Sequence, residues 1–430
     1  MTDLKKVVSE KYYTRTAQPG WPTYTDYIAG NIGADVLPAV SEFTTTCTDQ
    51  YQQLIQQGAE SGQINQRSQQ QIFFDKQFTG NRHCRVPWET MSVGSSGEVY
   101  ICVSPSWVPR SVGNVLSADC IYKDVLNSPM AQAIRQEILQ GRYYYCNTLL
   151  CRFFNHFDPS EYQLTANATD QPLPFEPSAL AQVTKIPAEI IFDFDPTCNL
   201  QCPSCRLEVI NYNKHTAMRA KNDNISEKIK HLIIDNIDES GPVTIRWAGG
   251  EPFISEVYLD LMEYIINTGH HNIRHVIQTN GSYLQKKSDL ITRLLPFIKE
   301  LRISFDAATE ETYRRTRVNG QWDLLLSNVR WIMAQIQQNN LQTRVSADYV
   351  VQLDNYDEIP AFRELCNELG IKHINYQRMW NWHTWSEDEL QRRNVYNINH
   401  PLYFTVIKKL ADVNDFDGQR LYQQLPPESK

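Results

Sequence analysis

Between Ala188 and Trp380, short runs rich in β-branched and aromatic residues alternate with longer stretches whose apolar residues recur every three to four positions. The runs are AEIIFDFD, VTIRWAG, HVIQTNG, LRISFDA, RVSADYVVQL and KHINYQRMW. The stretches between them are SEKIKHLIIDNI, YLDLMEYIINTG, SDLITRLLPFIK, WDLLLSNVRWIMAQI and IPAFRELCNEL. A period of about 2 marks a strand and one of about 3.6 a helix. Six strands separated by helices cannot be joined by hairpins, so they predict a parallel sheet with right-handed crossovers. The fold class is α/β, either a βα barrel or an open sheet. In both, a ligand lies beyond the C-terminal ends of the strands.

The chain has 430 residues, more than one ordinary core of ~100–200, which predicts a smaller module beside the α/β domain. A hydrophobic fraction of 41% and a charged fraction of 21% are those of a globular protein. Net charge −8 argues against a general attraction to nucleic acid or to an anionic membrane. The opening MTDLKKVVSEKYY has no apolar core of signal-peptide length, and no run of ~18 apolar residues occurs, so a cytoplasmic location is expected. In that compartment the ten cysteines read as metal-binding or catalytic and not as a disulfide framework.

Residues 1–80 form a polar extension with eleven glutamines between Gln50 and Gln77, to which no role is assigned. Residues 81–157 hold five cysteines; MSVGSSGEVYICVS within them predicts a hairpin turning at Ser95-Ser96-Gly97, and SPMAQAIRQEILQG a helix closing on Gly141. Five prolines between Asp158 and Pro187 mark 158–187 as a linker. The α/β domain then spans 188–380, and 381–430 is a C-terminal helical segment.

Unusual residues gather at the predicted strand ends. After the first comes Cys198-x3-Cys202-x2-Cys205, a group of three thiols where a structural zinc site wants four ligands. Three thiolates on a [4Fe–4S] cube, which normally takes four, leave one iron open to a chelating ligand. A zinc knuckle completed by a distant ligand such as Cys366 or a histidine, or three buried thiols, are the other readings. The second strand ends in Gly249-Gly250-Glu251-Pro252, where the glycines admit close backbone approach and the carboxylate can accept hydrogen bonds from an ammonium group. Thr279-Asn280-Gly281 follows the third strand and Ser304-Phe305-Asp306 the fourth.

This order of motifs resembles the radical S-adenosylmethionine (SAM) enzymes over roughly residues 188–380. The resemblance implies a partial (β/α)6 TIM-like barrel, a [4Fe–4S] cluster on Cys198, Cys202 and Cys205, and SAM on the open iron. Gly249, Gly250 and Glu251 would contact the methionyl ammonium and Pro252 shape the turn; Ser304 and Asp306 would contact ribose or carboxylate. Thr279 and Asn280 are further candidates, read equally well as a strand-ending turn with an Asx-type bond. The backbone at Val350 and Val351 would flank adenine. Ser204 departs from the family, which commonly has an aromatic residue there; Phe194 and Phe253 read as core.

The N-terminal module, with Cys84, Gly97-x4-Cys102, Gly113-Asn114 and Cys146-x4-Cys151, resembles the SPASM auxiliary-cluster domain, placed here before the barrel instead of after it. The resemblance implies a second, auxiliary [4Fe–4S] cluster on Cys84, Cys102, Cys146 and Cys151. A zinc ribbon suits the same four thiolates. Cys120 is expected to be a buried thiol or a replacement for one of the four, and Cys47 and Cys366 to be structural.

The resemblance implies an enzyme that reductively cleaves SAM and abstracts hydrogen from a substrate, a ribosomally synthesised peptide (RiPP) undergoing maturation. A small molecule or sugar is the alternative substrate, and a non-catalytic iron–sulfur scaffold or electron carrier the alternative of another class. Implied partners are the peptide, an external electron donor such as flavodoxin or ferredoxin, and a peptide-recognition protein; nucleic acid and membrane are not expected. No catalytic side chain is assigned. Trp380, Trp382 and Trp385 with His383 read as packing for the final helix or as a lid, and Tyr349, Tyr376 and Cys366 as packing or as radical relays.

Overall fold

The computed structural model describes residues 84–105, 107–139, 145–146, 151, 181–212, 216–238, 241–380, 382, 384–397, 399–415 and 418. The extension 1–80, Cys47, Gly141, His383 and most of the linker at 158–187 lie outside the described residues. The chain divides into two compact units, Met1–Pro187 and Ala188–Lys430.

In the first unit a short helix α1 (Val86–Glu89) leads into the strands β1 (Thr90–Val93) and β2 (Glu98–Tyr100), which pair antiparallel as the predicted hairpin. Gly97 turns the chain with φ +80°, and a third strand β3 (Gly113–Asn114) adds to β2. Helix α2 (Pro129–Leu139) buries Ala131, Ile134 and Ile138. The same helix encloses Arg135, whose guanidinium donates to the carbonyls of Pro87, Leu126 and Ala181. Burial without a carboxylate partner lowers its pKa to about 10.

The second unit contains the six predicted strands: β4 (Glu189–Phe192), β5 (Val243–Trp247), β6 (Ile273–Thr279), β7 (Ile298–Ser304), β8 (Arg344–Val351) and β9 (His373–Arg378). Each pairs in parallel with the next, in sequence order, which is the partial-barrel progression. The crossovers are α3 (Ala217–Leu232), α4 (Glu256–Thr268), α5 (Ser288–Leu294), α6 (Glu310–Thr316) with α7 (Trp322–Gln338), and α8 (Ile359–Glu368). Beyond β9 lie α9 (Glu387–Arg393) and α10 (Tyr403–Asp412).

One face of the sheet meets the helices through Phe192, Phe194 and Trp247, which pack edge-on around Tyr258 of α4, and through Phe305 and Tyr349 against Phe362 of α8. Fully burying such a ring contributes on the order of 2–3 kcal/mol, so this face carries much of the fold's stability. Trp247 also donates its indole N–H to Nδ1 of buried His275 at 3.0 Å. The opposite face is polar, with Arg246, Gln278, Arg302, Ser304 and Asp348 at alternate positions of β5 to β8.

Some boundaries differ from expectation. Helix α3 starts nine residues before Ser226, where the Thr216 hydroxyl accepts the N–H of Arg219, and it continues through buried Arg219 and Asn222, whose polarity hides its face. Pro296 ends α5 early, and β7 begins at Ile298. Cys120 is exposed, not buried: the Asp124 carboxylate accepts the N–H groups of Asp119 and Cys120, and Ile121 and Val125 take the apolar side. Trp380 and Trp382 are also exposed, at 49% and 65%, so packing does not account for them. No helix among the described residues is long and apolar enough to cross a membrane.

Candidate functional site

The loop after β4 carries the three cysteines, and it is tied down at both ends. The Asp195 carboxylate accepts the N–H and hydroxyl of Thr197 through one oxygen and the Ser255 hydroxyl through the other. Tyr258 accepts the Asp195 N–H and donates its own hydroxyl to the Ala248 carbonyl, linking this loop to the one after β5. Cys198 then bonds Ile210 across the loop through its N–H at 2.7 Å.

The Gly249-Gly250 turn lies directly on this loop. Both glycines have positive φ, and a Cβ on Gly250 would sit 2.2 Å from the Thr197 carbonyl oxygen. Glu251 N–H donates to that same oxygen at 2.7 Å. A side chain at 250 is therefore excluded by backbone, a demand only glycine meets.

Each thiol receives one N–H donor from a different part of the chain. Asn280 Nδ2 lies 3.8 Å from Cys198 Sγ, Arg317 Nη1 3.6 Å from Cys202 Sγ, and Arg206 Nη2 3.6 Å from Cys205 Sγ. Burial pushes the Cys198 thiol up to about 11, with the Arg206 charge opposing that rise; burial likewise raises Cys202 and Arg317 opposes it. Three donors aimed at sulfur suit thiolate ligands of a metal cluster, since an N–H donor favours the charged form.

The remaining predicted residues sit at the same strand ends with different duties. Glu251 is wholly buried: Oε1 accepts the Phe253 N–H and the Thr279 hydroxyl, and Oε2 the Asn280 N–H at 2.6 Å. Burial pushes its pKa up to about 7 against those hydrogen bonds. Its carboxylate thus ties the β5 and β6 loops together. Asn280 forms the Asx-type turn, its Oδ1 accepting the Ser282 N–H at 3.0 Å.

Asp306 is a similar case, at 1% exposure. Oδ1 accepts the Val350 N–H at 2.7 Å and Oδ2 pairs with Arg317 at 2.7 Å, so each oxygen has a partner within the protein. Ser304, one pleat earlier, has no hydrogen-bond partner for its hydroxyl among the described residues. On β8, Asp348 is buried with Oδ1 accepting from Asn375 Nδ2 at 2.7 Å and Oδ2 unpartnered; burial raises its pKa. Arg302 Nε on the neighbouring strand is also unpartnered. Asp348, Arg302, Arg206 and Arg317 were not foreseen. Their one sequence signal is polarity at inward positions of otherwise apolar strands and at the ends of the motifs.

In the first unit the four expected thiols are near enough to act on one another's charge. Burial pushes Cys84 up to about 12 and Cys102 to about 11 and raises Cys146 further, and each of the three also feels the Cys151 thiolate. Exposed Cys120 is absent from this mutual set. Buried thiols that repel one another's charge need a cationic centre to ionise, which a metal cluster supplies.

Residues 194–366 match the radical SAM superfamily. The chain carries a radical SAM domain. Residues 84–152 match the SPASM iron–sulfur cluster-binding domain, so the chain also has the module that holds auxiliary clusters. A radical SAM domain uses a [4Fe–4S] cluster and SAM. No curated protein matches the chain. Similar solved structures include native anSMEcpe with bound AdoMet, at 14% identity and TM-score 0.35, covering 53% of this chain and 59% of that one. Another is Streptococcus suis SuiB bound to precursor peptide SuiA, at 15% identity and TM-score 0.34, covering 73% of this chain and 66% of that one. The chain thus matches 59% of the length of anSMEcpe.

Proposed function

We propose that this protein is a radical SAM enzyme that modifies a ribosomally synthesised peptide, with one [4Fe–4S] cluster on Cys198, Cys202 and Cys205 and a second on Cys84, Cys102, Cys146 and Cys151. The observation that carries the first assignment is the trio of thiols, each with its own N–H donor, beside a glycine turn that leaves room for backbone only. When bound, the reduced cluster and SAM supply a 5′-deoxyadenosyl radical that takes a hydrogen atom from the substrate. The backbone of Gly249 and Gly250 offers the methionyl ammonium its acceptors, and Pro252 holds the turn. The free Ser304 hydroxyl serves SAM's ribose or carboxylate, while Glu251, Thr279, Asn280 and Asp306 keep the loops in register. Substrate lies over the polar face of the sheet, where Asp348 and Arg302 have hydrogen-bonding capacity to spare.

The peptide reading is supported by the auxiliary-cluster module beside the radical domain. A small polar molecule or sugar is favoured instead by the density of polar groups on that face. Anaerobic reconstitution decides: reductant plus SAM should yield 5′-deoxyadenosine, with none from Cys198→Ala, and mass spectrometry of short peptides encoded beside the gene should reveal a mass change. Formation of 5′-deoxyadenosine with no change in any such peptide, and turnover of a sugar or nucleotide, would transfer the proposal to the second class.

A further inference from the structure

Arg206, directly after the last cysteine of the loop, lies in no matched motif of the strand ends, yet its half-buried guanidinium lies against the Cys205 sulfur. One arm, Nη2, donates to Cys205 Sγ at 3.6 Å; the other, Nη1, donates to the Pro196 carbonyl at 2.9 Å, reaching back to the start of the loop. Its charge acts on Cys198, on Cys205 and on Cys202. Arg317 is nearly neutralised by its pairing with Asp306, whereas Arg206 has no carboxylate bonded to it. The Glu251 carboxylate feels this charge, but among the described residues no carboxylate pairs with Arg206 directly.

We propose that Arg206 sets the reduction potential of the cluster held by Cys198, Cys202 and Cys205. This role rests on the function proposed above and acts on a single step. One electron from an external low-potential donor takes the cube with its three thiolates from a single to a double negative charge, with no bond made or broken. A fixed positive charge and an N–H···S bond both favour the more negative state, and such groups are among those that set cluster potentials. Arg206 thus raises the potential and eases reduction; at an exposed Cys205, where water would otherwise screen the sulfur, it is the one charged donor among the described residues.

The test is an anaerobic redox titration of the full reconstituted protein, following by EPR the reduced cluster whose signal changes on adding SAM. Arg206→Gln, which removes the charge and keeps an amide donor, should shift the midpoint to lower potential at unchanged iron content. Arg206→Lys, which keeps the charge, should stay near the wild-type midpoint. An unshifted midpoint in Arg206→Gln, or an equal downward shift in both variants, overturns the proposal. If Arg206→Gln fails to load iron, Arg206→Lys decides: loading at the wild-type midpoint supports the role of charge, and failure to load reduces Arg206 to a strut for Pro196. A wild-type protein that loads no SAM-responsive cluster would instead refute the function itself.

Discussion

Two glycines with the same backbone conformation separate ligand placement from backbone strain. Gly269, which caps α4, and Gly250 have φ of +74° and +54°. Alanine at either position meets the left-handed cost of roughly 1–2 kcal/mol. At Gly269 nothing lies within 4 Å of the new Cβ, so that is the whole effect, a fall in melting temperature of about 2–8 °C. At Gly250 the Cβ meets the Thr197 oxygen at 2.2 Å and the Pro196 carbonyl carbon at 2.7 Å, both backbone, where ordinary contact begins at 3.4 Å. The Cys198 loop must retreat by about an ångström, and the Glu251 N–H to Thr197 bond is broken. An unsatisfied buried donor adds about 1–3 kcal/mol, for roughly 2–5 kcal/mol in all. A displacement of that size next to a reacting centre costs about 100-fold in rate. With both variants reconstituted, Gly269→Ala should form 5′-deoxyadenosine at the wild-type rate, and Gly250→Ala at a hundredth of it or less. Equal activity in the two, at equal iron content, would refute the geometry of the turn.

Cys102→Ser should lose the iron of the first unit while Cys120→Ser keeps it, read as iron per chain after reconstitution. Ser304→Ala should weaken SAM binding several-fold with under ~0.5 kcal/mol change in stability, because the buried hydroxyl that is removed has no protein partner among the described residues to lose; urea unfolding beside a SAM titration checks both halves. Burial lowers the pKa of His275 to about 3, against ~6.5 in an unfolded chain, so the unfolded state binds the proton first as pH falls. Stability present above pH ~6.5 is therefore lost between there and about 3, by ~2 kcal/mol at pH 5. His275→Gln, which can still accept from Trp247, should lose that part of the slope in urea midpoints measured from pH 7 to 5, and an unchanged slope would count against it.

What the sequence made legible was local. Strand β6 is read from HVIQTNG because alternation and a terminal glycine lie within seven residues, and the cysteine spacing is likewise contiguous. Helix α6 was missed: Thr309 caps it through the Thr312 N–H, but at seven residues it is too short to show a period. The protein contacts of Glu251 and Asp306 were not legible for a different reason. A carboxylate next to a glycine turn looks free to bind a ligand, and nothing in its neighbourhood reveals that the N–H groups of Asn280 and Val350, 29 and 44 residues away, will occupy it.

Those long-range bonds give the motifs a structural duty of their own. Cys198 is contacted by Asn280, which Glu251 holds; Cys202 by Arg317, which Asp306 holds; Cys205 by Arg206, which the Pro196 carbonyl holds. Each thiol is thereby braced from a different strand end, and Glu251 and Asp306 act one step behind the sulfur atoms. Glu251→Gln or Asp306→Asn should consequently damage iron retention as well as SAM affinity, since the amide replaces an acceptor oxygen with a donor facing an N–H or a guanidinium. Iron lost from either variant on dilution, faster than from wild type, would mark the carboxylates as braces. SAM affinity lost at full iron retention would return them to the ligand-contacting role that the sequence first implied.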